Sequence, residues 1–444
     1  MRKIKFLLWG FLGILTFFWV IAVTWPEIFS LLSTRSVMIN FTGVLGVGAM
    51  SFAMILALRP VWLESWLDGL DKSYRLHKWL GITALVMSVM HWLSGNAPKW
   101  ATSLGLLERP ERGPRPDESA LPTLQQWFNT QRDTAEFIGE WTFYVIVLLI
   151  ALALIKRFPY RLFTKTHTLL AAAYLAIVFH SVMLMEYNYW QQIVGVVSGL
   201  LMAAGTIAAA LILMGRIGRN RKVAGTIEHI DLFPELSIME TSIRLDDGWR
   251  GHQGGQFAFV TFDSKEGAHP FTIGSGWTPK DPCINFITKG LGDYTNLMIE
   301  NLKVGDKVTV EGPYGRFIFS DGKERQIWIG GGIGITPFIA RMKQIAHKPE
   351  DQAIDLFHAI PFEDPKAIQK LTADAKTANV QLHILVDGRD DRLTGEQLRT
   401  EIPDWKEASV WFCGPAKFGE SLKKDLIANG LKDRDFHQEL FNMR

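Results

Sequence analysis

With 444 residues the chain has room for roughly two to four domains, and its formal net charge of +2 excludes a general nucleic-acid-binding surface. Hydrophobic residues make up 48% of it, more than a wholly soluble protein needs, and nearly all the long apolar runs fall before residue 216. Only two cysteines occur, Cys283 and Cys413, which excludes a disulfide framework and any cysteine metal site in the first half.

Arg2, Lys3 and Lys5 precede an apolar run over 6–23. The run is longer than the core of a signal peptide and has no small-residue cleavage site before Trp25-Pro26, so it reads as a retained first span. A second span is predicted over 37–58 and a third over 74–92. The stretch 95–134 is polar, carries Pro98, Pro110, Pro114, Pro116 and Pro122, and is too long for a simple connection. It predicts a lid or extramembrane cap with an interfacial helix over 124–137. Spans over 137–155, 162–185 and 190–214 bring the count to six, which puts both ends of the bundle on one side of a lipid bilayer.

The third and fifth spans carry two histidines each, His77 with His91 and His167 with His180, the only histidines before residue 229. At about 1.5 Å per residue, fourteen residues separate His77 from His91 by roughly 21 Å along the helix, which places one near each face of a hydrocarbon layer about 30 Å thick. Fourteen residues also return to within about 40° of the starting direction, whereas the thirteen between His167 and His180 leave those two about 140° apart on a straight helix. A bend, a π-bulge or different approach angles must absorb that offset. Ionisable residues inside a membrane are functional candidates by default, and neutral imidazole is a common ligand of iron. Taken singly, each histidine reads as readily as a hydrogen-bonded interior residue. Four in matching pairs predict two bis-histidine haems stacked across the bilayer.

Lysine and arginine in the short connections set the orientation. Arg59, Lys72, Arg75, Lys78, Lys156, Arg157, Arg161, Lys165 and the basic run 216–222 join the amino terminus on one side, against Arg35 on the other. The amino terminus and the second half are expected in the cytoplasm, in a bacterial inner membrane. The third and fifth spans then both run outward, which pairs His77 with His167 near the cytoplasm and His91 with His180 near the outer face. Arg75 beside the inner pair reads either as a partner for a haem propionate or as a positive-inside anchor.

After residue 222 the pattern changes to short alternating runs at 226–230, 237–245, 256–262, 283–288 and 307–311, punctuated by glycine and proline, which predicts a small antiparallel β-barrel. From about 326 the runs 327–329, 353–359, 380–385 and 409–412 alternate with helical patterns and predict a parallel α/β domain. The expected domains are 1–215, a six-span transmembrane di-haem bundle; 216–322, the barrel; and 323–444, the α/β domain.

In the second half, WIGGGIGITPF over 328–338 runs from a strand through Gly330, Gly331, Gly332 and Gly334 to a helix with Thr336 and Pro337 in its first turn. Such glycines let a backbone approach a phosphate, whose charge the free amides of the helix start attract; a tight strand-to-helix turn would need glycine in any case. Among the barrel strands stand His269-Pro270-Phe271-Thr272 and KGLGDYT over 289–295. Alone, the first is a proline-broken strand and the second a turn entering a helix, where the helix start after Gly292 and the Thr295 hydroxyl could hold a pyrophosphate. VEGPYG over 310–315 reads locally as a turn, Cys413 as a buried thiol at a strand end before Gly414 and Pro415, and Phe441 as a packing aromatic near the terminus.

In this order the paired histidines and these motifs resemble the NADPH oxidase and ferric reductase superfamily, a haem-bearing membrane domain fused to a ferredoxin-reductase-like module, over nearly the whole chain. The resemblance implies FAD lined by His269, Pro270, Phe271 and Thr272, with Thr272 near the reactive ring, and Lys289, Gly292 and Thr295 at its pyrophosphate. It implies that the 310–315 segment closes the flavin domain. It implies a nicotinamide-nucleotide site at 330–337 and at Cys413, Gly414 and Pro415, and an aromatic cover for the flavin at Phe441. It further implies haem iron on His77, His91, His167 and His180.

Two positions depart from that pattern. Gly95 stands where animal oxidases carry a further histidine near the oxygen site. Pro361-Phe362-Glu363-Asp364 follows the strand at 353–359 where an arginine would meet a 2′-phosphate; acidic residues suit NADH, while Arg389 remains available to NADPH. The expected activity is electron transfer from NADH or NADPH through FAD and two b-type haems to an external ferric complex or molecular oxygen. Two other readings stay open: an electron carrier feeding a periplasmic partner protein docked on 95–134, and a flavin reductase merely anchored by apolar spans, without haem.

Overall fold

The computed structural model describes residues 2–28, 30–67, 69–106, 121–155 and 158–439. The chain divides into two compact units, one of residues 1–67 and 72–217 and one of residues 68–71 and 218–443.

The first unit is helical: α1 (Arg2–Ala22), α2 (Leu31–Ala57), α3 (Val61–Leu67), α4 (Leu70–Ser103), α5 (Thr123–Thr130), α6 (Arg132–Leu154), α7 (Tyr160–Leu184) and α8 (Ile193–Leu213). Ser30 starts α2 through a reciprocal cap, its hydroxyl taking the Ser33 amide at 3.1 Å while the Ser33 hydroxyl takes the Ser30 amide at 2.8 Å, which satisfies donors that every helix start leaves open. Leu8, Leu12 and Leu15 of α1 pack on Leu45, Ala49 and Ala53 of α2, with Leu76, Leu80 and Ala84 of α4 in the same core. Gly48 carries no Cβ that would overlap Leu15.

Among the described residues, five helices are long and apolar enough to cross a membrane: Lys3–Ala22, Ser33–Ala57, Arg132–Leu154, Tyr160–Leu184 and Ile193–Leu213. The third predicted span, on α4, is long enough at 34 residues but lacks that composition. Its apolar stretch is interrupted by Ser, Thr, Gly and Trp as well as by the two histidines. The loop predicted from residue 95 begins later, because α4 continues through Pro98 to Ser103. The predicted interfacial helix over 124–137 is divided: α5 ends at Thr130, and α6 starts at Arg132 and continues into the apolar run. The proline-rich stretch 107–120 lies outside the described residues.

The second unit holds two sheets. The first contains β1 (Lys222–Phe233), β2 (Ile238–Leu245), β3 (Phe257–Thr261), β4 (His269–Thr272), β5 (Cys283–Lys289) and β6 (Lys307–Tyr314) in the order β4-β3-β6-β1-β2-β5, every pairing antiparallel. An antiparallel bridge between Ile273 and Phe286 joins its two edges just beyond β4. The alternation of β5, half-buried then buried residue by residue, is that of a strand with one face on the core. The helix α9 (Asp293–Asn301) follows β5. The predicted strands lacked β4, since Pro270 cannot donate to a ladder; it pairs with the edge-adjacent β3 as Phe259 opposite Pro270.

The second sheet contains β7 (Arg325–Gly331), β8 (Ala353–Ile360), β9 (Gln381–Val386), β10 (Ser409–Cys413) and β11 (Phe436–Gln438), all parallel, in the order β11-β10-β7-β8-β9. The helices α10 (Thr336–His347), α11 (Pro365–Thr377), α12 (Gly395–Glu401) and α13 (Ala416–Ala428) connect and cover the strands. Alternate residues of β7 serve two cores: Trp328 packs with Phe338, Met342 and Leu356, and Ile327 and Ile329 with Phe357, Val410 and Phe412. The chain winds outward from β7 to β9 and then returns to the other side of β7 for β10. The switch point between β7 and β10 is where open α/β sheets bind ligands.

Candidate cofactor sites

The four membrane-unit histidines meet in two pairs. The ring centres of His77 and His167 are 5.8 Å apart at 64°, and those of His91 and His180 are 6.2 Å apart at 76°. Two metal–nitrogen bonds of about 2 Å each, with about 1 Å from each donor nitrogen to its ring centre, add to about 6 Å. Both gaps match a single metal held between two imidazoles.

Three of the four rings are anchored from behind. His77 Nδ1 lies 3.0 Å from the Ala53 carbonyl oxygen, His91 Nδ1 3.0 Å from that of Ile39, and His180 Nδ1 2.8 Å from that of Ala135. A carbonyl can only accept, so each Nδ1 carries the proton and each Nε2 presents its lone pair, the tautomer of a metal-ligating histidine. The Thr42 hydroxyl adds a contact to His91 Nδ1 at 3.3 Å. The acceptors Ile39 and Ala53 are fourteen residues apart on α2, the same interval as His91 and His77 on α4. One antiparallel helix pair therefore braces both α4 histidines at matching registers.

Glycines make the room. A Cβ at Gly139 on α6 would overlap the His180 ring, and one at Gly43 on α2 would lie in van der Waals contact with His91 at 3.5 Å. Gly81 and Gly95 each follow an α4 histidine by four residues and so share its helix face; a Cβ at either would meet nothing within 4 Å. Among the described residues there is no group of three or more His, Cys, Asp or Glu able to hold a bare metal ion. Each pair offers two imidazole donors, which would suit an iron that brings its own four-nitrogen macrocycle. The donor set, its spacing and the open glycine faces thus fit haem.

In the second unit, the two segments predicted to hold a nucleotide come together at the switch point. The turn Gly332–Ile335 links β7 to α10, with Gly332 at φ +55°, a left-handed conformation that favours glycine. A Cβ at Gly334 would strike the Cys413 carbonyl, one at Gly331 would meet Pro415 at 2.8 Å, and Gly414 lies with its own Cβ position 3.1 Å from Gly331. The glycine cluster around Gly330, Thr336 and Pro337 and the Cys413-Gly414-Pro415 loop thus form one crevice floored by backbone. Cys413 is fully buried, and burial together with the Glu439 carboxylate pushes its thiol well above the ordinary range. It stays protonated and is no nucleophile.

The two segments predicted around a flavin also meet. The rings of His269 and Tyr294 stack at 4.1 Å and 20°, which brings the β4 tetrad His269-Pro270-Phe271-Thr272 against the start of α9. Burial pushes His269 down to about 4, so it is neutral at pH 7. The Thr295 hydroxyl accepts from the amides of Leu291 at 2.9 Å and Gly292 at 3.1 Å; it caps the turn below Lys289 and so shapes the helix start. Tyr314 of the 310–315 segment donates to Glu311 at 2.8 Å and pairs with Phe257 across β3. Phe441 lies outside the described residues.

Residues 42–178, which carry His77, His91 and His167, with His180 just beyond, match the family described as ferric reductase like transmembrane component. The chain joins such a component to a ferredoxin-reductase-like FAD/NAD-binding module. Among curated relatives, the toluate 1,2-dioxygenase electron transfer component of Pseudomonas putida is 26% identical over 171 residues, 36% of this chain and 51% of that protein. Flavohemoprotein B of Dictyostelium discoideum is 27% identical over 164 residues, 34% of this chain and 38% of that protein. The chain thus spans about half, or less, of the relatives' lengths. A flavohemoglobin structure from Malassezia yamatoensis covers 93% of this chain and 97% of its own at 16% identity and a TM-score of 0.48. The matched membrane component and the apolar helices mark an integral membrane protein.

In the second unit a cleft of about 110 Å³ opens beside the glycine turn, between β1, β2 and β5 on one side and α10 and α11 on the other. Ile287, Ile339, Ile360 and Phe362 make it apolar, and Lys289 and His358 reach it as polar groups. Buried Glu240 rims it, taking Lys370 at 2.5 Å with Lys343 at 3.8 Å. Arg389, the cation predicted to be available to a 2′-phosphate, is instead tied to Glu363 and to Asp390, the latter at 2.9 Å.

Sequence reasoning missed the three bracing carbonyls, which no side chain encodes, and Gly139, whose signal is only a glycine within an otherwise good helix former. It also missed the buried contact of Tyr174 on α7 with Ser51 on α2 at 2.8 Å.

Proposed function

We propose that the chain carries electrons across a membrane, from cytoplasmic NAD(P)H through FAD and two b-type haems to an acceptor at the outer face, a ferric complex or molecular oxygen. The observation that carries this reading is the double pairing of His77 with His167 and His91 with His180, at separations that suit one iron each. When bound, the nicotinamide supplies a hydride, the flavin divides its two electrons, and the haems take them one at a time.

The chain's residues supply position and insulation. Helix α4 is the third of six spans, and residues 1–215, 216–322 and 323–444 act as haem, flavin and nucleotide domains. The carbonyls of Ile39, Ala53 and Ala135 hold three imidazoles in the ligating tautomer. The β4 tetrad and the α9 start cradle the flavin, with Lys289 toward its pyrophosphate and Thr272 beside its ring. The backbone of 330–337 and of Cys413, Gly414 and Pro415 receives the nicotinamide nucleotide, and Phe441 covers the flavin. Cys413, held as the neutral thiol, keeps charge out of the place where the hydride leaves. The basic flanks orient the soluble part to the cytoplasm.

The reading is tested with full-length protein in sealed vesicles, soluble unit outward, loaded with a ferric chelate. NADH added outside should reduce the b-type bands and then the enclosed iron. NADH oxidation without any change of a haem spectrum contradicts it.

A further inference from the structure

The two histidine pairs differ in one respect that spacing explains. His167 Nδ1 is buried and has no hydrogen-bond partner among the described residues, whereas the other three Nδ1 atoms sit on carbonyls. On α4 the fourteen-residue interval is matched by fourteen residues on α2, so both rings find an acceptor. On α7 the residue fourteen before His180 is Thr166, and His167 comes one position, about 100°, later. Helix α7 is continuous α-helix from Tyr160 to Leu184, so no π-bulge restores the register. The His167 ring lies instead against Phe163, at 5.1 Å and 24°, which fixes its plane by stacking and offers no acceptor to its N–H.

Resting on the haem reading above, we propose that the His77/His167 site is held by one braced and one unbraced imidazole, and that this makes it the first of the two haems to be reduced. An acceptor behind a ligating imidazole raises its basicity and pushes electron density toward the metal, which favours the ferric state. The outer site has two such braces and the inner site one. Reduction adds one electron at iron and moves no proton, so the site with the weaker donors takes the electron at the higher potential. The inner site then holds an electron in reserve, nearest the side where reducing equivalents enter, and a membrane potential negative inside favours its onward passage.

The test uses full-length His167→Gly and His180→Gly proteins loaded with haem, titrated with imidazole or 1-methylimidazole and followed by Soret absorbance. The methylated base cannot donate from the position of Nδ1. At the His180→Gly cavity imidazole should bind about tenfold or more tightly than 1-methylimidazole, because only imidazole can donate to the Ala135 carbonyl, which the methyl group would crowd. At the His167→Gly cavity the two should bind alike. Equal discrimination at both cavities overturns the proposal while leaving the haem reading intact, and a parent protein with no Soret band overturns both. A second measurement needs no cavity: in a potentiometric titration, the couple kept by His91→Ala should be the higher of the parent's two. If it is the lower, the proposal fails.

Discussion

The Ala135 carbonyl receives the His180 Nδ1–H at 2.8 Å, and Gly139, one turn along the same helix, lies under that ring with no Cβ to obstruct it. Acceptor and clearance come from one face of α6. Gly139→Leu should therefore displace His180 and weaken the outer haem by about tenfold or more. Pyridine haemochrome assay of the purified variant should give one haem per chain where the parent gives two. Gly10→Ala, at a position with nothing within 4 Å on α1, should leave the ratio unchanged.

Gly81 and Gly95 probe the space beside each α4 histidine. Leucine at either would project into the region open in both cases, so Gly81→Leu should remove the inner haem and Gly95→Leu the outer. Low-temperature spectra resolving the two b-type components read this directly. Loss of the same component from both variants would contradict the pairing.

Arg389 is held by Glu363 and Asp390, so a 2′-phosphate arriving there meets two carboxylates, while a free ribose hydroxyl finds an acceptor. The protein should oxidise NADH in preference to NADPH. Glu363→Gln should shift the kcat/KM ratio toward NADPH by about tenfold, roughly 1.4 kcal/mol, with little change for NADH. An unchanged ratio would mean that the 2′ position binds elsewhere.

His252 and His358, both in the second unit, are pushed down to about 4 by burial, which outweighs their hydrogen bonds to the Ser275 and Gly330 carbonyls. In the unfolded chain each titrates near 6.5. Below that pH the unfolded state takes up protons that the folded state refuses, so stability complete above about pH 6.5 is lost as pH falls toward 4. At pH 5 the two together remove about 4 kcal/mol, which lowers the unfolding midpoint by on the order of 10 °C relative to pH 7. Thermal release of flavin fluorescence measures it, and a midpoint that holds or rises at pH 5 contradicts the assignment.

Much of this arrangement is legible in the sequence where side chains carry it. The fourteen-residue interval on α4 announces one helix face, and the apolar runs give five helices that meet the requirements for crossing a membrane. The glycines at 330–334 and 414 announce a crevice, and the structure packs them against each other. What stayed hidden lies in the backbone or in partnerships remote in sequence. Carbonyls of Ile39, Ala53 and Ala135 have no signature, and the extension of α4 through Pro98 overrides the usual reading of proline as a stop. The edge strand β11 is three residues long, too short for an alternation to register. Arg389 looked free for a phosphate because Glu363 is 26 residues away in the chain.

The central claim is that each histidine pair holds one iron porphyrin. Its most direct test is haem quantification of full-length protein beside His77→Ala, His91→Ala, His167→Ala and His180→Ala. The account predicts two haems per chain in the parent and one in every variant, with His77 and His167 removing one spectral component and His91 and His180 the other. A parent without iron porphyrin, or variants that keep both haems, would contradict it.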